Sequence, residues 1–203
     1  MANGKTTVGM GKTRMRAGKG GQAGRTGGAE RRGAQTPAGA RPQEGRALSH
    51  VSPAGARMVD VSAKGRTART AVAEAWVNVG AAVAAMLRRD GGVAKGNVLE
   101  TARVAGIMAA KKTAELIPMC HPLALDAVDI TAELVGVRAR ITVKVTTKGR
   151  TGVEMEAMTA AAVAALTVYD MVKSAGKGIE IGPVRLLEKQ GGKSGRWSRS
   201  GRT

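Results

Sequence analysis

Two stretches of alternating apolar and polar residues lie on either side of Gly136 and constrain the fold more than any other feature of the sequence. They cover residues 125–134 and 137–148. The second stretch puts small and branched apolar side chains on one face, namely Val137, Ala139, Ile141, Val143 and Val145. Such alternation is typical of a strand with one buried face, and a glycine between two strands is typical of a tight turn. We therefore predict a β-hairpin.

The rest of the chain after residue 57 has further apolar periodicities on both sides of this hairpin. They predict two more strands over residues 70–78 and 179–187, and three helices over residues 79–89, 98–116 and 157–174. Asn97 is a suitable N-cap for the helix at 98–116. The order β-α-α-β-β-α-β predicts an α+β protein with helices on one face of an antiparallel sheet. This is a ferredoxin-like two-layer sandwich with one extra helix.

Residues 1–57 differ from the remainder in composition. They are rich in Gly, Arg and Ala, contain almost no large aliphatic residues, and carry half of the net charge of +18. Such a segment cannot bury enough apolar surface to offset its chain entropy. We predict a disordered basic extension over residues 1–57 and one domain over residues 58–203, with a mobile tail at 190–203.

The composition excludes several classes of protein. The single cysteine rules out a disulfide framework within the chain and a cysteine-rich metal site, and it fits a reducing compartment. No uninterrupted apolar run reaches the 18 or so residues of a membrane span, and the N-terminus lacks a secretory apolar region. There is no phosphate-binding loop motif and no His pair at metal spacing. We expect a cytoplasmic protein with no membrane association and no metal.

The charge and the scarcity of aromatic residues indicate the kind of partner. The part after residue 57 has a net charge of +9, which suits a polyanionic small molecule or nucleic acid. The N-terminal extension has no aromatic residue for stacking on bases, so a nucleic-acid partner is the weaker hypothesis. The chain has no Phe, one Tyr and two Trp. A core of small aliphatic residues gains from subunit contacts, which favours an oligomer.

Several polar residues lie among apolar ones and are candidates for chemistry. His121 follows Cys120 in a loop that two prolines stiffen, and it is either a packed structural residue or a fixed acid/base group. Glu154 and Glu156 share one side if the segment is extended. If they form a first helical turn, they diverge and favour the positive helix end.

A second group of candidates is charged and lies elsewhere in the sequence. Asp170 and Lys173 stand one helical turn apart, as an ordinary surface ion pair or as a coupled pair that shifts each other's pKa. Lys95 precedes a helix N-terminus that could hold a phosphate. Further cations in segments predicted to be loop-like are Lys64, Arg66, Arg69, Lys189 and Lys193. These residues predict acid/base chemistry on a phosphorylated small molecule.

Five segments, taken in order, resemble the cyclic pyranopterin monophosphate synthase family, also called molybdenum-cofactor biosynthesis protein C. They are residues 58–69, 95–111, 116–123, 149–159 and 169–195, so the resemblance covers nearly all of residues 58–199. It implies an enzyme, a phosphorus–oxygen lyase without a cofactor, assembled as a homo-hexamer of three dimers. The implied substrate is cyclised dihydro-GTP from an upstream radical S-adenosylmethionine enzyme. The implied products are cyclic pyranopterin monophosphate and pyrophosphate.

The resemblance also implies site residues. It gives catalytic roles to Asp170, Lys95 and Lys173, and substrate binding to Met119, Cys120, His121, Glu154, Met155, Glu156, Arg69 and Lys64. Lys189 completes the predicted substrate-binding set as a nearby cation. Asn97 stands where the family usually has Asp, and residues 1–57 are not a family feature. A member that kept the scaffold and lost catalysis is a further alternative, but the polar set is present in full.

Overall fold

The computed structural model describes residues 51–52, 55–90, 93 and 96–200. Almost all of the predicted extension and the candidate Lys95 lie outside the described residues. The elements, in chain order, are β1 (Val51–Ser52), β2 (Gly55–Ala56), β3 (Thr67–Asn78), α1 (Gly80–Asp90), α2 (Val98–Lys111), α3 (Thr113–Leu116), β4 (Ala127–Val135), β5 (Arg138–Gly149), α4 (Glu154–Val172), β6 (Glu180–Gln190) and β7 (Trp197–Ser198).

The main sheet has five antiparallel strands in the order β4-β5-β3-β6-β7. Strands β4 and β5 form the predicted hairpin, and Gly136 at its turn has a φ of 58°, which a glycine adopts without strain. The first four strands of this order have the arrangement of a ferredoxin-like sandwich, so the predicted fold is confirmed. Strands β1 and β2 pair only with each other among the described strands.

The core lies between the sheet and helices α2 and α4, and small residues let these layers approach closely. Strand β3 contributes Ala71, Ala73, Ala75 and Val77, all fully buried. Gly106 on α2 shows how tight the packing is, because a Cβ there would lie 2.6 Å from the Ile130 side chain and 3.1 Å from the Ala160 carbonyl oxygen. The scarcity of aromatic residues is thus matched by close backbone approach.

Helix α4 is the one helix, among those the structure describes, that is long and apolar enough to cross a membrane by length and composition. Ten of its 19 residues are buried within the protein. It packs on α2 and on strands β3, β5 and β6. Its apolar character is therefore that of the central helix of a soluble-type α+β fold.

Several predicted boundaries were wrong. The helix predicted over residues 98–116 ends at Lys111, and α3 begins at Thr113. The Thr113 hydroxyl is placed to donate to the carbonyl oxygens of Ala109 and Ala110, at 3.2 and 3.0 Å. Arg69 and Lys189 were predicted to lie in loop-like segments but lie in β3 and β6, because both strands extend beyond their apolar alternation. The predicted cap is confirmed, since the Asn97 side chain accepts from the Glu100 N–H.

The sheet face away from the helices holds a buried carboxylate with two arginine partners. Glu74 on β3 is only 3% exposed. Its carboxylate accepts from Arg185 at 2.8 Å and from Arg140 at 3.3 Å. Burial alone raises the pKa of Glu74, but hydrogen bonds from Arg185 and Trp76 and the charges of both arginines hold that pKa below its usual range. The residue is therefore a paired structural carboxylate.

Candidate functional site

A cavity of about 390 Å³ lies between the loop after α3 and the first turn of α4. It gathers seven of the residues predicted to bind substrate, namely Met119, Cys120, His121, Glu154, Met155, Glu156 and Lys64. Three of these come from the loop, three from the helix and one from the segment before β3. Residues that are 35 apart in sequence, such as Met119 and Glu154, therefore line one concave surface.

The loop that carries Cys120 and His121 is held at both ends by hydrogen bonds. At its start, the Cys120 N–H donates to the Ile117 carbonyl at 3.0 Å. At its end, the Thr147 hydroxyl donates to the Ala124 carbonyl at 2.7 Å, which ties the segment to β5. Pro118 and Pro122 further restrict the backbone. A loop fixed in this way holds its side chains in a defined direction, as binding and acid/base groups require.

The first turn of α4 supplies both candidate carboxylates. Glu154 begins the helix and Glu156 follows within the first turn, so the helical alternative from the sequence is the one observed. Both carboxylates lie in the first turn, where the partial positive charge of the helix N-terminus attracts a negative charge. Although they diverge from each other, both line the cavity. Gly152 leaves room for the Glu154 carboxylate, which lies where a Cβ of residue 152 would be.

Glu156 is the most buried ionisable group of the cavity, at 4% exposure. Burial raises the pKa of its carboxyl, and the negative charge of Glu154 raises that pKa further. Burial also raises the pKa of the Cys120 thiol, with a smaller contribution from the charge of Glu156. The thiol is thus kept protonated near neutral pH, which is unfavourable for a nucleophile. Glu156, in contrast, can hold or release a proton closer to neutral pH than an ordinary glutamate can.

Two further cations adjoin these carboxylates. The Lys189 ammonium on β6 lies 3.0 Å from a Glu154 carboxylate oxygen, and both side chains are about one-third exposed. Lys64 lines the cavity from a turn in which its N–H donates to the Val61 carbonyl at 3.0 Å. The lining therefore combines two carboxylates with Lys64, and Lys189 pairs with Glu154 from outside the lining.

Arg69 lies next to the cavity rather than in its lining. Its guanidinium donates to the carbonyl oxygens of Gly149 and Arg150, at 3.2 and 3.1 Å. The backbone of Gly191 and Gly192 packs against β3 here, and a side chain at residue 192 would overlap the Arg69 guanidinium. In the described structure, Arg69 fixes the loop that leads into α4.

Asp170 and Lys173 lie at the opposite end of α4 from the cavity. Fourteen residues separate Asp170 from Glu156, which corresponds to about 21 Å along a helix axis. The Lys173 ammonium is 2.6 Å from the Asp170 carboxylate, and the two side chains are 54% and 56% exposed. The hydrogen bond to Asp170 raises the pKa of Lys173. A single chain does not bring this pair together with the cavity.

Five further lining residues, three of them aliphatic, were not predicted as site residues from the sequence. They are Val59, Val61, Leu123, Thr151 and Gly152. Val59 and Val61 alternate before Lys64, and this alternation was the available signal. Among the described residues, no group of three or more His, Cys, Asp or Glu side chains is arranged to hold a metal ion.

Comparison with protein families gives a match over most of the part of the chain that follows residue 57. The model described as the MoaC family matches residues 58–192, about two-thirds of the chain. This range contains every residue of the cavity and both members of the Asp170–Lys173 pair. It begins where the composition of the chain changes.

Proposed function

The chain belongs to the MoaC family, whose members act in molybdenum-cofactor biosynthesis, and from this membership we propose that it is a cyclic pyranopterin monophosphate synthase. It converts cyclised dihydro-GTP, supplied by an upstream radical S-adenosylmethionine enzyme, to cyclic pyranopterin monophosphate and pyrophosphate. We propose that it does so in the cytoplasm. The observation that carries this proposal is the cavity that joins the His121 loop to the carboxylates of α4.

The proposed reaction needs proton transfers at several atoms and stabilisation of a leaving anion. A hydroxyl oxygen of the sugar-derived part attacks the α-phosphorus and gives its proton to a base. The bond from that phosphorus to the bridging oxygen breaks, and pyrophosphate leaves with the bonding electrons. Positioned acid/base groups and cations are the protein's means of accelerating such steps.

The described cavity supplies groups suited to these tasks. We propose that His121 and Glu156 contact the pterin-forming base and its sugar. The raised pKa of Glu156 suits a group that gives and takes a proton near neutral pH. We assign Lys64 and Arg69 to the phosphate end, together with Lys95, which lies outside the described residues. Asp170 and Lys173 form the proposed coupled acid/base pair.

The distance between the Asp170–Lys173 pair and the cavity supports an active site that is shared between subunits of an oligomer. If all these groups serve one substrate, the Asp170–Lys173 end of α4 reaches the cavity of another subunit, because one helix cannot present both of its ends to one ligand. Apolar side chains exposed on the outer helical surface favour such packing; they include Val104, Met108, Leu166 and Tyr169. We propose a homo-hexamer, a trimer of dimers, with each site formed between subunits.

Sedimentation velocity is expected to show this hexamer at micromolar concentration. The physical reason is that a core of small side chains, with apolar residues left on the outer helix surface, gains further burial in an assembly. A sample that remains monomeric at that concentration would contradict both the hexamer and the shared site.

The direct test of the reaction is a product assay. Incubation with cyclised dihydro-GTP is expected to yield cyclic pyranopterin monophosphate and pyrophosphate in equal amounts, measured by chromatography and by a coupled pyrophosphate assay. GTP itself serves as the control and is expected to give neither product. The absence of both products from cyclised dihydro-GTP would overturn the proposed function.

A further inference from the structure

After β6 the chain turns back along that strand as a short segment, residues 191–199, which we call the C-terminal strap. Gly191 and Gly192 begin the turn with positive φ angles of 102° and 69°. The strap then forms β7, which pairs antiparallel with β6 and places Trp197 directly opposite Lys189. Residues directly opposite each other in an antiparallel pair project from the same face of the sheet, with their side chains in reach of each other. Trp197 therefore lies beside the lysine that pairs with the first carboxylate of α4.

The Trp197 ring is held in place by its neighbours in the strap. The Arg199 guanidinium lies 5.9 Å from the centre of the ring, and a cation over an aromatic face is attractive. Arg199 is itself fixed, because its Nε donates to the Leu186 carbonyl oxygen at 2.9 Å and its backbone N–H donates to the Leu187 carbonyl oxygen at 2.8 Å. The ring is 41% exposed, so more than half of its surface is covered.

The ion pair of Lys189 does not by itself hold the lysine side chain in one position. Its ammonium lies 3.0 Å from the Glu154 carboxylate, but both side chains are about one-third exposed, and water weakens such a pair. A lysine also has a flexible four-carbon stem. Such a stem packs well along an apolar surface while its ammonium stays free to pair with an acid. The ring of Trp197, on the next strand, provides that surface.

The position of the Lys189 ammonium matters for the neighbouring carboxyl group, Glu156. Glu154 and Glu156 line the same cavity, and the negative charge of Glu154 raises the pKa of Glu156. A cation held on Glu154 reduces the negative potential that reaches Glu156, and a lysine that moves away restores it. The other ionisable groups in this lining come from the loop after α3 and from the segment before β3, namely Cys120, His121 and Lys64.

We propose that Trp197 is a positioning residue that holds the Lys189 ammonium against Glu154, and that Lys189 in this position screens Glu156 from the charge of Glu154. The C-terminal strap thereby sets the electrostatic surroundings of the most buried ionisable group of the cavity, although the strap does not line that cavity. The part that Glu156 takes in turnover rests on the proposed function. The placement of Lys189 by Trp197 does not depend on it.

A pH titration of the full chain, followed by NMR of isotope-labelled glutamate carboxyl groups, tests this placement without any substrate. Lys189→Met removes the cation and is expected to raise the pKa of Glu156 above that of wild type, because the charge of Glu154 is then uncompensated. Trp197→Ala is expected to give part of the same upward shift, since the lysine remains but is no longer held. Trp197→Phe keeps an aromatic ring opposite Lys189 and is expected to restore the wild-type value.

Arg196→Gln is the matched control. Arg196 precedes Trp197 and lies on the other face of the strap, where its guanidinium is 3.0 Å from the Glu188 carboxylate. This change removes a positive charge from the strap but leaves the ring in place, so the pKa of Glu156 is expected to stay at the wild-type value. A shift in Arg196→Gln as large as that in Trp197→Ala overturns the role of the ring.

Turnover assays separate this inference from the proposed function. With cyclised dihydro-GTP, the profile of kcat against pH is expected to move to higher pH in Trp197→Ala and to return in Trp197→Phe, because the profile follows the pKa of Glu156 whether that group gives or takes the proton. A raised pKa of Glu156 in the substrate-free Trp197→Ala protein supports the positioning role even if no turnover is found. A wild-type pKa of Glu156 in both Trp197→Ala and Lys189→Met overturns the inference, whether or not the wild type turns over. A wild-type value in Trp197→Ala alone overturns the role of Trp197.

Discussion

Replacing Asp170 with Asn is expected to lower kcat by about a hundredfold or more, the usual scale for a positioned acid/base group. The substitution keeps the shape of the side chain and removes the base. Lys173→Met is expected to do likewise. Neither change is expected to unfold the protein, since both side chains are more than half exposed and exposed ion pairs contribute little to stability. Steady-state kinetics and thermal melting measure the two quantities.

Helix α2 provides a matched control for this experiment. Glu100 and Arg103 form an ion pair with the same spacing at 2.8 Å, with side chains 56% and 46% exposed. Glu100→Gln therefore removes an equivalent surface pair and is expected to leave kcat unchanged. Near wild-type rates in both the Asp170 and the Lys173 variants would mean that their pair is structural. Lys95 and His121 would then be the remaining candidates for the catalytic groups.

Mixed hexamers test whether the distant pair acts on a neighbouring cavity. Chains with Asp170→Asn and chains with Glu156→Gln are each expected to be nearly inactive alone. Refolded together in equal amounts, they are expected to recover roughly a quarter of the wild-type sites, because random assembly pairs an intact cavity with an intact helix end in that fraction. Recovery of no activity would show that both groups are needed on the same chain.

The sequence was most informative where periodicity and burial coincide. The hairpin around Gly136 and the helix that became α4 were predictable because one face of each is continuously apolar. The break at Lys112 was not, because residues 98–116 keep a helical pattern through it and the local bonds of Thr113 are visible only in the structure. Strand ends were underestimated where pairing with a neighbour, rather than apolar alternation, extends them.

The candidate site was predictable in its residues but not in its geometry. Residue type and resemblance selected His121 and Glu156, yet only the fold shows that they line the same cavity. From the sequence, Lys189 was predicted to be a cation in a loop. Its pairing with Glu154 arises because β6 runs beside the start of α4. The separation of Asp170 from Glu156 follows from helix length alone and could have been foreseen.

Glu156 and Glu74, the carboxylates that are buried in the described part of the chain, are expected to change the stability in opposite directions when they are neutralised. The pKa of Glu156 is raised, so its favourable contribution to stability is present below the pKa of an unfolded glutamate, about 4.3, and is lost as pH rises through the folded-state pKa. The pKa of Glu74 is lowered, so its contribution is present above the unfolded pKa and is lost as pH falls. Glu156→Gln is therefore expected to melt higher than wild type at pH 8, with a smaller gain near pH 4.

Glu74→Gln serves as the control, because its stability is expected to change in the opposite direction from that of Glu156→Gln. It is expected to lower stability at neutral pH by about 1–3 kcal/mol, because two arginines lose a charged partner while remaining partly solvated. The deficit is expected to shrink in acid. Thermal melts of the three proteins across the pH range measure both trends. A Glu156 variant that melts below wild type at pH 8 would show that its carboxylate has a stabilising partner and is structural.

The turnover of Glu156→Gln distinguishes a catalytic role of this carboxyl group from a structural one. If Glu156 is an acid/base group, Glu156→Gln is expected to lower kcat by about a hundredfold while it raises the melting temperature. A carboxylate that destabilises the fold at neutral pH and is nevertheless needed for turnover is a group retained for chemistry, since functional sites commonly reduce stability. Wild-type kcat in this variant would remove Glu156 from the mechanism. The proton transfers at the ring system would then rest on His121, the other polar group that we place against it.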